Sequence, residues 1–167
     1  MFTKVILVAF FACALYISTA QAENTVEQCE KQMPASLKGK LCDIRQYKIV
    51  PGADADKHMD CVMKAVGFVD AEGRGEYHKL YKPLNAVEKH RKHDYNLEKC
   101  MGDTMNLPKE QRANGFYKCL LQSSSGNAFK KVFDLTELVK AGKLSSIAQY
   151  SPAVEKIMKK IDEKICK

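Results

Sequence analysis

The sequence lacks several patterns that define common protein classes. It has no alternating run of apolar and polar residues long enough to predict a β-strand, and neither an internal repeat nor a linker divides it. Beyond residue 17 it has no stretch apolar enough to cross a lipid bilayer. These absences favour a single all-α domain and give no reason to expect a membrane protein.

Sequence motifs of catalytic sites are missing as well. There is no zinc-type cysteine pair, no glycine-rich loop for phosphate and no nucleophile-elbow motif. The pair His93-Asp94 resembles the His-Asp pair of secreted phospholipases, but the flanking cysteines and the glycine-rich calcium loop of those enzymes are not in this sequence. We expect instead a histidine at a helix N-terminus with a capping acid. The protein is then predicted not to be an enzyme and to need neither metal nor cofactor.

Basic residues outnumber acidic ones by 27 to 20, which gives a formal net charge of +7. Nucleic-acid binding would need these residues to line one groove between aromatic side chains, whereas here they occur in separate segments among acids. The pattern favours solvated helix faces; the alternative is an anionic extracellular partner such as a glycosaminoglycan, a phospholipid surface or an acidic plasma protein. The basic segments are Lys38-Gly39-Lys40, Lys89-His90-Arg91-Lys92, Lys130-Lys131 and Lys159-Lys160.

The N-terminal segment has the features of a secretory signal peptide. Lys4 supplies the positive charge, residues 5–17 form an apolar run, and Ala20-Gln21-Ala22 is the small-residue pattern at which a signal peptidase cuts. A membrane anchor is the alternative, but the run is shorter than the roughly 20 residues that span a bilayer. We therefore predict a signal peptide at 1–22, one domain at 23–167, and secretion.

Six cysteines follow this segment, and a seventh, Cys13, lies within it. An even number of cysteines in a short exported chain predicts a disulfide framework, although the residues alone leave the pairing open. A cysteine as late as Cys166 would tie the last helix to the body of the protein, because chain ends otherwise fray. The six are Cys29, Cys42, Cys61, Cys100, Cys119 and Cys166.

Apolar residues recur at three- and four-residue spacing through most of the remaining chain, which predicts helices. Together they indicate an all-α domain of seven or eight helices. The predicted helices cover residues 36–47, 54–67 with Asp54 as cap, a short segment ending near Leu84 despite Pro83, 93–104, a segment opened by Pro108, 128–139, and a last one that starts at Ser151-Pro152.

Five segments stand out beside the six-cysteine helical frame. They are His58-Met59-Asp60-Cys61-Val62-Met63-Lys64, Gly73-Arg74-Gly75-Glu76-Tyr77-His78-Lys79-Leu80-Tyr81, Asn96-Leu97-Glu98-Lys99-Cys100, Phe116-Tyr117-Lys118-Cys119-Leu120-Leu121 and Phe129-Lys130-Lys131-Val132-Phe133-Asp134-Leu135. Together with the cysteine frame, these motifs resemble those of the short-form D-seven salivary proteins of blood-feeding mosquitoes, within the odorant-binding-protein superfamily. The resemblance covers essentially all of residues 23–167 and implies one disulfide-stapled domain whose helices enclose a small-molecule pocket.

The resemblance also implies a disulfide pairing. Insect odorant-binding proteins usually carry two further cysteines, at positions that are Ala65 and Glu110 in this sequence. By comparison with the family, the remaining six are expected to pair as Cys29–Cys61, Cys42–Cys166 and Cys100–Cys119.

One short segment carries the predicted ligand chemistry. Asp134 and Glu137 are three residues apart, so on a helix their carboxylates lie on one face and can converge on one point. A protonated amine would relieve the repulsion between two such desolvated carboxylates. From the spacing alone, an exposed acid pair facing the many lysines is the favoured alternative. The resemblance favours the amine site, because relatives that bind biogenic amines hold the ammonium between two acids matched here by Asp134 and Glu137.

The same resemblance implies the rest of the pocket. The aromatic body of the ligand is expected against Tyr117 and Phe133, and its ring hydroxyls or second polar end against Arg45 and His58. Each of these four residues taken alone would more often be ordinary core or surface.

The function that the resemblance implies is sequestration of biogenic amines in saliva. The protein is expected to bind serotonin, and also histamine and catecholamines such as noradrenaline, and so to counter host vasoconstriction, platelet activation and inflammation during blood feeding. Two alternatives are a cationic inhibitor of coagulation that binds host contact-activation proteins, and an eicosanoid binder. In longer relatives the lipid site belongs to a different domain. We expect a monomer.

Overall fold

The structure is a computed structural model that describes residues 25–89 and 92–166. The predicted signal peptide at 1–22 lies outside these residues. The described part is all-α, as predicted, and its only β-type pairing is an isolated bridge between Val69 and Gly75. Its nine helices are α1 (Val26–Lys31), α2 (Ala35–Lys38), α3 (Leu41–Arg45), α4 (Ala53–Val66), α5 (Tyr77–Val87), α6 (His93–Thr104), α7 (Lys109–Gln122), α8 (Gly126–Lys140) and α9 (Pro152–Ile165).

The start of this series differs from the prediction in two ways. The single helix predicted over residues 36–47 is wrong, since the chain forms α2 and α3 on either side of a turn at Gly39-Lys40. The periodicity also missed α1, a six-residue helix that a capping box between Thr25 and Gln28 begins. These two differences raise the helix count above the predicted seven or eight.

Helix α4 begins and ends at glycines. Gly67 ends it in the left-handed conformation, with φ of 81°, and its backbone N–H returns to carbonyls of the last turn. The prediction that Asp54 caps this helix is wrong, because α4 begins at Ala53 and its N-cap is Gly52. The Asp54 carboxylate instead accepts a hydrogen bond from the Ser36 hydroxyl and so joins α4 to α2.

The main core lies between α4, α6, α7 and α8, and α1 and α5 contribute fully buried side chains to it. Its largest fully buried side chains include Phe116, Phe129 and Met63. Helix α8 is central to the site, because its Phe129 and Phe133 face this core while the next turn carries Asp134 and Glu137. No helix of the described residues is long and apolar enough to cross a membrane.

Three disulfides join helices of the described residues. The pairs are Cys29–Cys61 between α1 and α4, Cys100–Cys119 between α6 and α7, and Cys42–Cys166 between α3 and the residue that caps α9, with Cα–Cα distances of 5.7, 5.5 and 5.2 Å. These are the three pairs that the family resemblance implies. Helix α9 depends most on its bridge, because Met158 is its one buried residue.

The first prediction concerns this attachment of α9. In the double variant Cys42→Ser/Cys166→Ser we expect the amides of α9 to exchange with solvent at least about tenfold faster, whereas those of α4 and α7 keep their protection, because the bridge restrains a peripheral helix. Hydrogen exchange followed by mass spectrometry measures this. The matched control, Cys100→Ser/Cys119→Ser, removes a bridge between two central helices and should lower the melting temperature of the whole domain. Unchanged exchange in α9 would show that packing alone holds it.

Candidate ligand-binding site

A cavity of about 350 Å³ opens between α3, α4, α8 and the end of α9. Its volume lies within the range of sites that hold small organic molecules. Much of its wall is aliphatic, and its charged side chains are concentrated on α3 and α8 and at the rim. The lining residues are Glu30, Met33, Lys38, Leu41, Ile44, Arg45, Tyr47, His58, Met59, Val62, Phe133, Asp134, Glu137, Lys143 and Ile165.

The structure brings five of the six predicted site residues to this cavity, namely Arg45, His58, Phe133, Asp134 and Glu137. Tyr117, the sixth, is not a lining residue of the cavity. Its ring centroid is 5.4 Å from that of Phe133, and the residue is 6% exposed. Tyr117 packs against the aromatic wall near the two acids, and burial, followed by the charges of Glu137 and Asp134, raises the pKa of its hydroxyl.

The two acids of α8 are buried and face the cavity. Glu137 is 8% exposed and the Asp134 side chain 16%, so the exposed pair that the spacing alone favoured does not form. Loss of water on burial raises the pKa of the Asp134 carboxyl to about 7, in spite of opposing contributions from Tyr47 and Arg45. Burial likewise raises the pKa of Glu137 above its ordinary value.

Arg45 contacts these acids directly. Its Nη1 donates to Glu137 Oε2, and its Nη2 lies 3.8 Å from Asp134 Oδ1. On its other edge, Nε and Nη2 donate to Asp162 Oδ1 over 3.0 and 2.6 Å. We call Arg45, Asp134, Glu137 and Asp162 the Arg45 cluster. One guanidinium thus forms salt bridges with three carboxylates.

The family resemblance implies that Arg45 meets ring hydroxyls or a second polar end of the ligand, and the structure places its guanidinium beside the two acids of α8. The physical reason is electrostatic, because two buried carboxylates one turn apart repel each other and a nearby guanidinium fork relieves the repulsion. The surrounding acids raise the pKa of Arg45 above its ordinary value, so the residue stays charged.

Tyr47 is a site residue that the sequence did not single out, since it is only the last residue of the helix predicted over residues 36–47. Its hydroxyl donates to Asp134 Oδ1 and also lies 2.9 Å from the carbonyl oxygen of Lys130. Its ring stacks on that of Tyr117, and burial raises its pKa, so it remains a donor. The sequence could not show this role, because it requires Tyr47 to adopt the left-handed conformation, with φ of 60°, which is uncommon outside glycine.

His58 occupies the α4 side of the cavity. The residue is 7% exposed, and burial lowers its pKa from the ordinary value, which keeps the imidazole neutral at pH 7. A neutral imidazole can donate one hydrogen bond and accept another, which suits a hydroxyl group of a ligand.

The rim carries a salt bridge between Lys143 Nζ and Glu30 Oε1, 2.7 Å apart. Residues 50–53, the loop that leads into α4, do not line the cavity; Val50 packs instead near Leu37 in a small cluster. Access to the cavity is thus bounded by charged side chains of α1, α2 and the segment after α8.

The His93-Asp94 pair does not form a catalytic dyad. The ring nitrogens of His93 lie 2.7 Å from Ser125 Oγ and 2.7 Å from the Glu88 carbonyl oxygen, whereas the Asp94 carboxylate accepts a hydrogen bond from the Tyr77 hydroxyl. Among the described residues no group of three or more His, Cys, Asp or Glu side chains is arranged to hold a metal ion.

Comparison with known proteins gives several matches. The PBP/GOBP family model matches residues 17–123. The chain is 63% identical to the short form salivary protein D7R1 of Anopheles gambiae over 99% of both chains, and 48% identical to D7R4 of the same species over 95% of both. The D7R1 protein of Anopheles stephensi is 57% identical over the full length of both chains.

Two solved structures share the fold. The Anopheles gambiae D7R4–norepinephrine complex superposes with a TM-score of 0.81 at 51% identity, over 86% of this chain and 99% of that one. The AeD7–leukotriene E4 complex gives a TM-score of 0.61 at 26% identity, over 69% of this chain and 40% of that one. The helical frame, the cavity between α3, α4 and α8, and these matches agree: the chain belongs to the PBP/GOBP family and, within it, to the short-form D7 salivary proteins.

Proposed function

We propose that this protein binds biogenic amines in saliva, serotonin foremost and also histamine and catecholamines such as noradrenaline. The observation that carries the proposal is the charge of the Arg45 cluster. One guanidinium faces three carboxylates in a largely buried site, so the cluster has a formal charge of −2 when all three are ionised. A single ligand ammonium reduces this imbalance and supplies three further donors.

The aromatic side chains next to the acids suit the rest of such a ligand. Phe133 lines the cavity one residue before Asp134, and Tyr47 lies on the same side with its ring centroid 6.5 Å from that of Phe133. A planar ring held against these faces gains apolar burial and stacking. His58 can meet a ring hydroxyl as a neutral partner.

We infer that the ligand exchanges partners with Arg45 at Glu137. Because Arg45 Nη1 already donates to Glu137 Oε2, an ammonium that approaches both acids competes with it there, whereas the guanidinium atom nearest to Asp134 is 3.8 Å away. The measured affinity then reflects the difference in free energy between the ligand ammonium and the Arg45 guanidinium at Glu137, and not the whole attraction of the acids for the ammonium.

Relatives support the amine more than the lipid alternative. The D7R4 chain, half of whose residues are identical to this one over the superposed region, was solved with norepinephrine. An eicosanoid carboxylate would bring a further negative charge to the two acids of α8, which raises the free energy of that complex. We infer that the ligand is a cation.

The physiological role proposed is removal of mediators from a bite wound. Serotonin and noradrenaline narrow vessels, and histamine promotes inflammation, so a salivary protein that holds them without turnover counters vasoconstriction, platelet activation and inflammation. The protein must then be secreted in molar excess over its ligand.

The second prediction concerns the loss of one acid, Glu137. Glu137→Gln should weaken serotonin binding at least about tenfold, equivalent to about 1.4 kcal/mol, because the ammonium loses a buried charged partner. Isothermal titration calorimetry measures the change. Glu110→Gln is the matched control, since it removes the same charge from an exposed position of α7 and should leave the Kd within about twofold. Equal affinities for Glu137→Gln and wild type would contradict the site.

The third prediction concerns pH. Because the Asp134 pKa is about 7, the carboxyl is protonated at lower pH and must lose its proton before it can pair with the ammonium. Serotonin itself stays protonated over this range, so its Kd should fall about eightfold from about pH 5.5 to 6.5 and change less than about twofold from about pH 7.5 to 8.5. Asp134→Asn should bind more weakly and lose most of this dependence. A Kd that is constant across the range would contradict the role of Asp134.

A second candidate function is inhibition of coagulation through binding of host contact-activation proteins. The observation that favours it is the outer surface of α9, where four lysines, Lys156, Lys159, Lys160 and Lys164, are exposed beside one exposed acid, Glu163. Such a surface attracts acidic partners at long range. It lies away from the cavity wall, so both functions can occur in one molecule.

The fourth prediction separates the two functions. The variant Lys156→Glu/Lys160→Glu/Lys164→Glu should lose any anticoagulant effect in a clotting-time assay and keep its Kd for serotonin within about twofold, because these side chains do not line the cavity. Saturating serotonin should not alter the clotting time with the wild-type protein. Retained anticoagulant activity in the variant would rule out α9 as the binding surface.

A further inference from the structure

We propose that Asp162 is a positioning residue of the amine site: it keeps Arg45 paired while the ammonium of the ligand takes over Glu137. This inference rests on the amine-binding function proposed above. Asp162 does not line the cavity, and neither the spacing of acids along α8 nor the family resemblance indicates it.

The guanidinium of Arg45 donates hydrogen bonds to acids on two different helices. Asp162 Oδ1 accepts from Nε over 3.0 Å and from Nη2 over 2.6 Å, so α9 holds one edge of the group. Glu137 on α8 accepts only from Nη1. A ligand can therefore displace Arg45 from Glu137 and leave both hydrogen bonds to Asp162 in place.

Burial makes this second partner necessary. The Arg45 side chain is 7% exposed, so a guanidinium released from Glu137 would have little water to replace the lost contact. Leaving a buried charge without a partner is strongly destabilising. If Arg45 had no other acid, that cost would be subtracted from the binding free energy of every amine.

Asp162 is the acid of the cluster with the most contact with water. Its side chain is 25% exposed, compared with 16% for Asp134 and 11% for Glu137. It also borders a second cavity, of about 330 Å³, between α8 and α9. Because it retains more contact with water, its charge is less costly to hold than that of the two acids on α8.

The disulfide Cys42–Cys166 holds the two partners at this distance. Arg45 lies three residues after Cys42, and Asp162 four residues before Cys166. The same pair of elements, α3 and α9, is thus joined by one covalent bond and by two charge-assisted hydrogen bonds.

Calorimetry with serotonin tests the positioning role. Asp162→Asn should raise the Kd about tenfold, and Asp162→Glu, which keeps a carboxylate, should restore most of the loss. Glu163→Gln is the matched control, because it removes the same charge from an exposed position of the same helix and should stay within about twofold. In an Arg45→Gln background the effect of Asp162→Asn should shrink below about threefold, since no guanidinium remains to be held. An effect of equal size in both backgrounds would overturn the proposal, because Asp162 would then act on the ligand by its charge alone.

Nuclear magnetic resonance of the wild-type protein gives a readout that does not depend on a variant folding. The Nε–H signal of Arg45, assigned by its loss in Arg45→Gln, should stay protected from solvent exchange when serotonin saturates the site. Its disappearance on saturation would show that Asp162 does not retain Arg45. If the wild-type protein bound no amine, the proposed function and this role would both fail. If it bound serotonin and Asp162→Asn left the Kd unchanged, this role alone would fail.

Discussion

The site depends on one charge imbalance, in which three carboxylates share a single guanidinium in a largely buried site. Three neighbouring features determine how these charges are arranged. Tyr47 donates to Asp134, the α8 backbone places two acids one turn apart, and α9 brings the third. The protein has a large positive net charge, yet this local deficit of positive charge is what would select a cation.

Helix α8 connects the hydrophobic core to the charged site. Phe129 and Phe133 pack at centroid distances of 5.8 Å from each other and of 6.4 and 6.3 Å from Phe68, so the aromatic core fixes the rotation of the helix about its axis. That rotation in turn aims Asp134 and Glu137 at the cavity. Ion pairs would place these acids poorly on their own, because electrostatic attraction is much less directional than close packing.

Much of the fold could be predicted from local signals, and part of the site could not. The bounds of α6 at residues 93 and 104 followed from periodicity, and the end of α4 at Gly67 followed from a glycine. Tyr47 depends on a left-handed backbone that no propensity favours, and the contact of Arg45 with Asp162 joins residues 117 positions apart. Asp162 has the sequence surroundings of any acid on an exposed helix, so only the tertiary structure separates it from Glu163.

The Cys42–Cys166 bridge has a consequence for the order in which the molecule is assembled. Helices α4 to α8 contain most of the buried core and can pack before residue 166 has been synthesised. Arg45 leaves the ribosome early, but its covalent link to the helix of Asp162 can close only after nearly the whole chain has reached an oxidising compartment. A chain interrupted late in synthesis would therefore keep a folded body and lack a finished ligand site.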